Sequence, residues 1–350
     1  MLHARYKKYT LNFRLPAGTS RGTLLSKDSY FILIHDDRHP EIEGIGECSI
    51  LKGLSPDDKP GLEEMISQVC RNLPGNLDGW TESLAEWPAI RSGIEMALAD
   101  LENGGKRLLF SSDFSMGKTE IPVNGLIWMG DTGYMLQQID DKIREGYKVI
   151  KMKVGAVSFA DELALIRHIR KQYSAAEISI RLDANGAFLP SEAPGKLDQL
   201  AEFGIHSIEQ PIRAGQVAAM ADLCRKSPVP VALDEELIGI YKLSERIALL
   251  EQIMPQYIIL KPSLLGGFNA SQEWIELAGK TGTDWWVTSA LESNIGLNAI
   301  AQWTATLNNP LCQGLGTGSL FTNNFPSPLQ VQQGRLHQAS DRPWDLSAIL

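Results

Sequence analysis

The sequence predicts an α/β protein whose larger part is a parallel β/α barrel, preceded by a smaller α+β domain. Short apolar runs that are typical of buried strands recur at intervals of 25 to 30 residues from Lys153 onward, which is the length of one strand, one helix and two short loops. Several of these runs carry charged residues near their end, where the reacting groups of a parallel barrel gather. The first 50 residues instead alternate as antiparallel strands do, and amphipathic helices follow them.

The amino-terminal domain is expected to span residues 1–118. Its strands are predicted in ARYKKYTLNFRL, YFILIHD and IEGIGECSI, and its helices in PGLEEMISQVCRNL and WPAIRSGIEMALADLENGG, where apolar residues recur every three to four positions. The loop between the first two strands carries Ser20 and Arg21 among glycines. Two interpretations of this loop stay open: a plain hairpin connection, or a lid that meets a carboxylate substrate.

The barrel is predicted over residues 119–324. It begins with the strand IPVNGLIWM, continues with YKVIKMKVG, and ends with DWWVTSALES and CQGLGTGSL as the seventh and eighth strands. Helices are expected to begin at Thr132 and at Ser158, since both residue types suit a helix start. Residues 325–350 are punctuated by prolines, with a short hairpin around Gly334, and are expected to pack back on the amino-terminal domain.

The composition is that of an ordinary globular protein, and its net charge argues against some kinds of binding partner. A net charge of −9 argues against nucleic acid or an anionic membrane. The four cysteines form no CxxC pair, which indicates reduced core residues in a cytoplasmic protein. The basic amino terminus lacks the apolar stretch of a signal peptide, no run approaches the length of a membrane span, and the six histidines lack the spacing of a zinc site.

Two lysines in the run YKVIKMKVG are unusual for a buried strand. Because side chains alternate along a strand, Lys151 and Lys153 share one face and Met152 takes the other. Lysine is almost never fully buried without a partner. A solvated edge strand with two extended lysines is the structural alternative, but the residues downstream favour a functional pair.

Three carboxylates follow on the next strands and would supply the partners. Asp183 lies in ISIRLDANG, Glu209 in SIEQPI and Asp234 in VPVALDEEL, and Lys261 follows in YIILKPSLLGG. Three carboxylates at one barrel mouth cannot all stay ionised without a cation between them. Oxygen ligands without His or Cys select Mg²⁺, or Mn²⁺, over zinc. We therefore expect a magnesium site formed by these acids and open towards an anionic small-molecule substrate.

Two further polar positions follow from the period of two along a strand. Asn185 is expected on the same face as Asp183, where it would support the site as a neutral amide. Of Glu235 and Glu236, parity favours Glu236 as the residue that faces the barrel beside a lysine.

This combination of residues favours removal of a proton from a carbon next to a carboxylate. Such a reaction builds negative charge on the carboxylate, and a divalent ion with the ammonium of Lys151 would stabilise that charge where it develops. Lys153 can act as the base when it is neutral. Lys261, about half-way round the barrel, would lie on the opposite face of the substrate, as a second acid/base or as a cation over an unsaturated intermediate.

The motifs KMK, LDAN, IEQP, LDEE and ILKP resemble those of the enolase superfamily, in its muconate-lactonising enzyme subgroup, and the resemblance spans essentially the whole chain. It implies a capping domain followed by a modified (β/α)7β barrel. It also implies a catalytic set and a set of magnesium ligands, which are Lys151, the base Lys153 and Lys261, and Asp183, Glu209 and Asp234. In the family's organisation the early loop with Ser20 and Arg21 closes over the substrate.

The late segments discriminate between the reactions of this subgroup. SALESNIGLNAIAQ and QGLGTGSLFTNNF, with TSRGT in the early loop, resemble the o-succinylbenzoate synthase family of the menaquinone pathway. That resemblance implies the syn-dehydration of 2-succinyl-6-hydroxy-2,4-cyclohexadiene-1-carboxylate, with Ser289, Leu315 and Gly316 near the succinyl group.

Two alternatives to this dehydration stay open. An N-acylamino-acid racemase or dipeptide epimerase would use the same lysines, but dipeptide epimerases carry an acidic pair at the eighth strand, where this chain reads LGTG. A barrel kept for binding or structure without catalysis is an alternative of a different class.

Overall fold

The amino-terminal part of the chain is an antiparallel sheet with helices on one face. The computed structural model describes residues 1–19, 22–73, 79–339 and 341–350. Strands β1 (Leu2–Thr19), β2 (Gly22–Asp36) and β3 (His39–Ser49) pair in that order, and helices α1 (Leu62–Asn72), α2 (Trp80–Ser83) and α3 (Pro88–Glu102) follow. The three strands and the two long helices agree with the sequence prediction, whereas α2 was not predicted.

Helix α3 packs directly on β3 because glycines on both elements leave room for it. A Cβ atom at Gly46 would lie 1.8 Å from the carbonyl oxygen of Gly93, and one at Gly44 would lie 2.1 Å from that of Ala97. The apolar face of α3 meets the sheet in a core that includes Ile32, Ile34, Ile90 and Ile94. This close approach makes the sheet and α3 one α+β layer.

A buried carboxylate, Asp57, caps α3 from the loop before it. It accepts hydrogen bonds from the backbone N–H groups of Ala89 at 3.1 Å and Ile90 at 3.3 Å, and burial raises its pKa from 3.8 to about 7. Because the pKa is higher in the folded state, the folded state binds the proton more tightly. The contribution of Asp57 to the free energy of unfolding is therefore fully present below about pH 4 and is lost as the pH rises through about 7.

We expect Asp57→Asn to remove this part of the pH dependence. Relative to the unsubstituted chain, the melting temperature of the variant should rise between about pH 5 and about pH 8, as measured by calorimetry. Asp58→Asn, at an exposed neighbouring carboxylate, is the matched control. Parallel pH profiles of the Asp57 variant and the unsubstituted chain would contradict the expectation.

Seven parallel strands form most of the barrel. In sheet order they are β5 (Gly125–Ile127), β6 (Val149–Lys153), β7 (Ser179–Asp183), β8 (Ser207–Glu209), β9 (Val231–Leu233), β10 (Tyr257–Leu260) and β11 (Asp284–Val287). The eighth strand is reduced to two bridges, in which Gln313 pairs with Val123 and Gly314 with Thr288, both parallel. These bridges close the sheet between its first and last strands, which confirms the predicted fold class of a modified barrel with an α+β cap.

Helices follow each of the first seven barrel strands. They are α4 (Thr132–Arg144), α5 (Phe159–Gln172), α6 (Ala193–Ala201), α7 (Val217–Lys226), α8 (Leu243–Ile253), α9 (Pro262–Leu265), α10 (Gly267–Thr281) and α11 (Asn294–Thr306). Helix α4 begins at Thr132 as predicted, after the cap Asp131, which accepts from the N–H of Tyr134 at 2.8 Å, and Ser158 caps α5 as predicted. In the part of the chain that the structure describes, no helix combines the length and the apolar character that crossing a membrane requires.

The carboxy-terminal segment contacts both parts of the molecule. Strands β12 (Leu329–Gln332) and β13 (Arg335–Gln338) form the hairpin expected around Gly334, and β13 pairs with the short strand β4 (Ile121–Pro122), which precedes β5. The hairpin itself therefore joins the barrel side. The residues on either side of it, Phe325 and Ile349, pack against Phe31 of β2 in the amino-terminal sheet.

Candidate active site

The two lysines of β6 point into the barrel and are buried. Strand β6 lies between β5 and β7, so it is a central strand, and the alternative of a solvated edge strand is wrong. Lys151 is 4% exposed and Lys153 is 8% exposed, while Met152 between them packs in the apolar core on the opposite face of the strand. Two buried ammonium groups on one face require carboxylate partners, and the neighbouring strands supply them.

The three predicted acids lie at the ends of the next three strands. Asp183 ends β7 and is in register with Lys153 on one side and with Glu209, the last residue of β8, on the other. Asp234 follows β9 directly. All three side chains are at most 2% exposed. The parallel register thus brings residues that are 25 to 30 positions apart in the chain to one layer at the barrel mouth.

Lysines and carboxylates interleave in this layer. The Lys151 Nζ lies 2.8 Å from Asp183 Oδ2 and 2.6 Å from Glu209 Oε2. The Lys153 Nζ lies 2.6 Å from the same oxygen, Asp183 Oδ2. Lys261, which follows β10, pairs with Asp234 Oδ2 and lies 3.9 Å from Glu209 Oε1. Three ammonium groups and three carboxylates therefore balance one another in a buried cluster.

The electrostatics of the cluster follow from burial and from these contacts. Burial alone would lower the pKa of Lys151, but the carboxylates of Asp183 and Glu209 outweigh it and raise the pKa. Burial would raise the pKa of Asp183, whereas Lys151 and Lys153 hold it well below its usual range. Burial, together with the charges of Asp183 and Asp234, raises the pKa of Glu209 to about 8. Glu209 is thus the carboxylate that is most in need of additional positive charge.

The donor set of the cluster fits a hard divalent cation. Among the described residues, no group of three His, Cys, Asp or Glu side chains is arranged closely enough to hold a metal ion. In this structure the carboxylates of Asp183, Glu209 and Asp234 contact ammonium groups instead. However, Glu209 Oε1 is buried without a hydrogen-bond partner, which is a costly arrangement for a carboxylate oxygen. Three buried carboxylates, one of which has an oxygen that no hydrogen bond satisfies, are the ligand chemistry that Mg²⁺ prefers.

Asn185 and Glu235 extend the cluster. Asn185 adopts a left-handed backbone conformation (φ 45°), accepts from Lys153 Nζ at 2.9 Å and donates to Glu235 Oε1 at 3.0 Å. The prediction that Glu236 is the residue beside a lysine is wrong. Glu236 accepts from Gln210 and from the N–H of Gly215, on the other side of the loop. The reason is that a 3₁₀ turn, Glu235–Leu237, begins directly after Asp234 and ends the period of two.

Gln210 is a supporting residue that the sequence interpretation missed. Its Oε1 accepts from the backbone N–H groups of Asp234 and Glu236, both at 3.2 Å, and its Nε2 donates to Glu236 Oε2 at 2.9 Å. Its backbone is left-handed (φ 41°), although it directly follows β8. The amide therefore braces the loop that carries Asp234. The motif IEQP contains this residue, but only its glutamate was interpreted.

We expect Gln210→Leu to loosen Asp234 and to weaken binding of the divalent ion. Loss of an outer partner of a metal ligand typically costs about 10- to 100-fold in affinity or activity. Titrating activity with Mg²⁺ should therefore show a higher half-saturating concentration in the variant, whereas Gln199→Leu, on the exposed side of α6, should match the unsubstituted chain. Identical titrations of the Gln210 variant and the unsubstituted chain would show that the brace is not needed.

A cavity of about 630 Å³ opens above the lysines. Lys151, Lys153, Asn185 and Lys261 line its floor. The walls come from the capping region, from the end of the first barrel strand and from the seventh and eighth strands. They include Leu24, Leu51, Leu54, Trp128, Thr288, Ser289, Ala290, Leu291, Gly316 and Thr317. The cavity thus joins the buried lysines of the barrel to residues of the amino-terminal sheet.

The predicted substrate contacts are only partly brought to this cavity. Ser289 lines it and its hydroxyl lies 2.7 Å from that of Thr317, and Gly316 lines it as well. Leu315 does not line the cavity: its side chain is buried in the barrel core, because neighbouring residues of an extended segment face opposite sides. Ser20 and Arg21 lie outside the described residues, and Thr23, just after them, lines the cavity.

Comparison with known proteins decides between the families that this geometry allows. A family model described as enolase C-terminal domain-like matches residues 134–343. The o-succinylbenzoate synthase of Desulfotalea psychrophila is 47% identical over 362 aligned residues, which cover 95% of this chain and 97% of that protein. The chain belongs to the o-succinylbenzoate synthase family of the enolase superfamily. This family consists of dehydratases, so the chain is an enzyme of the lyase class.

Two further relatives place the family within its superfamily. The crystal structure of MenC from Desulfotalea psychrophila aligns with a TM-score of 0.84 at 42% identity, over 96% of this chain and 99% of the other. The L-Ala-D/L-Glu epimerase of Bacillus subtilis is 26% identical over 79% of this chain and 72% of that protein. Enolase-superfamily sites in general combine a Lys or His base with Mg²⁺, which agrees with the residues at the floor of the cavity.

Proposed function

We propose that the chain eliminates water from 2-succinyl-6-hydroxy-2,4-cyclohexadiene-1-carboxylate to give 2-succinylbenzoate, for menaquinone biosynthesis. The observation that carries this proposal is the buried set of three lysines and three carboxylates at the floor of one cavity. Family membership supports the choice of substrate. The free, mostly buried thiols of the four cysteines suit the reducing cytoplasm, which we propose as the location.

Lys153 is proposed as the base. It lines the cavity and is held between Asp183 and Asn185, so its amine has a fixed position below the substrate. It takes the proton from the carbon next to the substrate carboxylate. The hydroxyl group then leaves from the same face. The protonated Lys153 donates the proton to this hydroxyl group, which departs as water, and Lys153 is neutral again. The ring becomes aromatic in this step, which supplies much of the driving force.

The other two lysines are proposed to act electrostatically. Lys151 keeps its positive charge, since the neighbouring carboxylates raise its pKa, and stabilises the enediolate that forms when the proton leaves. Lys261 reaches the cavity from β10, across the barrel from β6, and faces the intermediate from the other side. Asp183, Glu209 and Asp234 would hold Mg²⁺, which when bound supplies Lewis acidity to the substrate carboxylate.

The remaining contacts are assigned to the rest of the substrate. Ser289 and Gly316 lie on the wall formed by the seventh and eighth strands, and we assign this wall to the succinyl group. Ser20 and Arg21 are proposed to close over the substrate from the capping domain. The segment in place of the eighth strand, residues 313–318, contains no acid that would bind a substrate ammonium, which suits a substrate that carries only negative charges.

An ultraviolet assay tests the proposed reaction. The cyclohexadiene substrate should be converted to an aromatic product, and the initial rate of the absorbance change should rise in proportion to enzyme concentration. The alternative reaction, racemisation or epimerisation of acylamino acids, would also use lysines on opposite faces of the cavity. It would be favoured by exchange of the α-proton for deuterium in D₂O without any formation of the aromatic product.

A further inference from the structure

Lys27 of β2 is a buried lysine that the proposed chemistry does not use. It is 6% exposed, and lysine is almost never buried to this extent without partners. Its ammonium contacts the hydroxyl of Ser49 on β3 and donates to the carbonyl oxygen of Leu291 at 2.8 Å. Leu291 belongs to the loop between β11 and α11 of the barrel. One ammonium group therefore ties the capping sheet to a loop of the barrel.

The tied loop has a strained backbone. Leu291 adopts a left-handed conformation (φ 57°), which a bulky side chain rarely takes and which persists only when the surroundings enforce it. The carbonyl of the preceding residue, Ala290, accepts from the hydroxyl of Ser49 at 3.2 Å. Two successive carbonyl groups of the loop are thus held by the capping sheet, and Lys27 contacts both Ser49 and Leu291.

Two buried glutamates secure the surroundings of Lys27. Glu47 of β3 accepts from the N–H of Ser293 at 3.0 Å, and Glu292 accepts from the hydroxyl of Ser263 at 2.6 Å. Burial lowers the pKa of Lys27, and the charges of Glu47 and Glu292 oppose this effect. Glu292 and Ser293, which directly follow Leu291, are therefore held by the barrel and by the capping sheet. The carbonyl group of Leu291 itself is held by Lys27, so we infer that this contact orients the Leu291 peptide.

The position of Leu291 matters because its side chain lines the cavity. It packs in a small apolar cluster with Leu24, Leu51 and Leu54 of the capping region and with Leu264 of the barrel. The cluster covers part of the cavity from the side of the capping sheet. If the Leu291 backbone relaxed to a conformation with negative φ, this covering wall would move.

We propose that Lys27 is a positioning residue that sets the fit of the substrate by holding Leu291 in its left-handed conformation. The inference rests on the proposed dehydration, whose carbocyclic ring offers an apolar surface to the wall. Lys27 touches neither the lysines nor the carboxylates of the reacting cluster among its hydrogen bonds in the described chain. Its effect should therefore fall on substrate binding rather than on the chemical step.

Steady-state kinetics of Lys27→Met test this inference, since methionine keeps the length of the side chain and removes its charge and donors. We expect KM for the cyclohexadiene substrate to rise by about tenfold or more while kcat changes by less than about threefold, because the interaction lost is the same in the ground state and the transition state. Lys7→Met, at an exposed lysine of β1, is the matched control. Loss of Lys27 removes the positive charge beside the buried glutamates Glu47 and Glu292. The double variant Lys27→Met/Glu292→Gln removes one negative charge as well and so keeps the charge balance. It should show the same rise in KM.

A double-mutant cycle with Leu291→Gly separates positioning from general stability. Glycine adopts the left-handed conformation without strain and has no side chain that could form the cavity wall. Adding Lys27→Met to Leu291→Gly should therefore change KM by less than about twofold. The inference would be overturned if both Lys27 variants had an unchanged KM and only a lower melting temperature or active fraction. It would also be overturned if Lys27→Met raised KM by the same factor in the Leu291→Gly background as in the unsubstituted chain. Absence of turnover in the unsubstituted chain would instead overturn the proposed function, and the inference with it.

Discussion

Lys153→Ala is expected to lower kcat for the dehydration by at least about 10²- to 10⁴-fold, the range that a positioned acid/base group contributes. The variant removes the amine that we propose takes the proton. The neighbouring amine of Lys151 should not replace it, because the carboxylates of Asp183 and Glu209 raise its pKa and keep it charged. The fold should survive, because Asp183 keeps the ammonium of Lys151 at 2.8 Å. The measurement is the ultraviolet assay, with circular dichroism to verify folding.

Lys148→Ala is the matched control for this loss. Lys148 directly precedes β6 and is exposed, so its removal should leave kcat and KM unchanged. Full turnover by Lys153→Ala would show that the base has been wrongly assigned. Loss of turnover in both variants would point to damage of the strand and not to loss of a base.

Removal of divalent ions with EDTA is expected to abolish turnover, and added Mg²⁺ should restore it. The reason is that three buried carboxylates lie next to one another, and burial with their mutual repulsion raises the pKa of Glu209 to about 8. A divalent ion would neutralise this charge and bind the substrate carboxylate at the same place. Mn²⁺ should also restore activity, since it accepts the same oxygen ligands.

Thermal unfolding gives a second measurement that does not depend on turnover. A ligand that binds the folded state alone stabilises it, so the melting temperature should rise with Mg²⁺ concentration. Asp234→Asn should reduce this rise, whereas Asp222→Asn, at a partly exposed carboxylate on α7, should leave it intact. Turnover that is indifferent to EDTA would reject the assignment of Asp183, Glu209 and Asp234 as ligands.

The cluster of lysines and carboxylates could be predicted from sequence because its residues lie on or next to regular strands. Within a strand the period is two, and between parallel strands the chain returns to the same barrel end after one helix, so Lys153, Asp183 and Glu209 become neighbours in register. The rule fails as soon as the strand ends. Glu236 was misplaced because a 3₁₀ turn starts after Asp234, and Leu315 was assigned to the substrate although its side chain faces the core.

The sequence by itself determined the fold class and the residues that interleave at the barrel mouth, because those contacts follow from short, repeated backbone geometry. Only the tertiary structure decided how the capping sheet meets the barrel. Lys27 and Leu291 are 264 positions apart, and no period along the chain relates them. Their contact, and the left-handed backbone that it holds, arise from packing between two separately built parts, so the wall of the cavity is visible only once both parts are folded together.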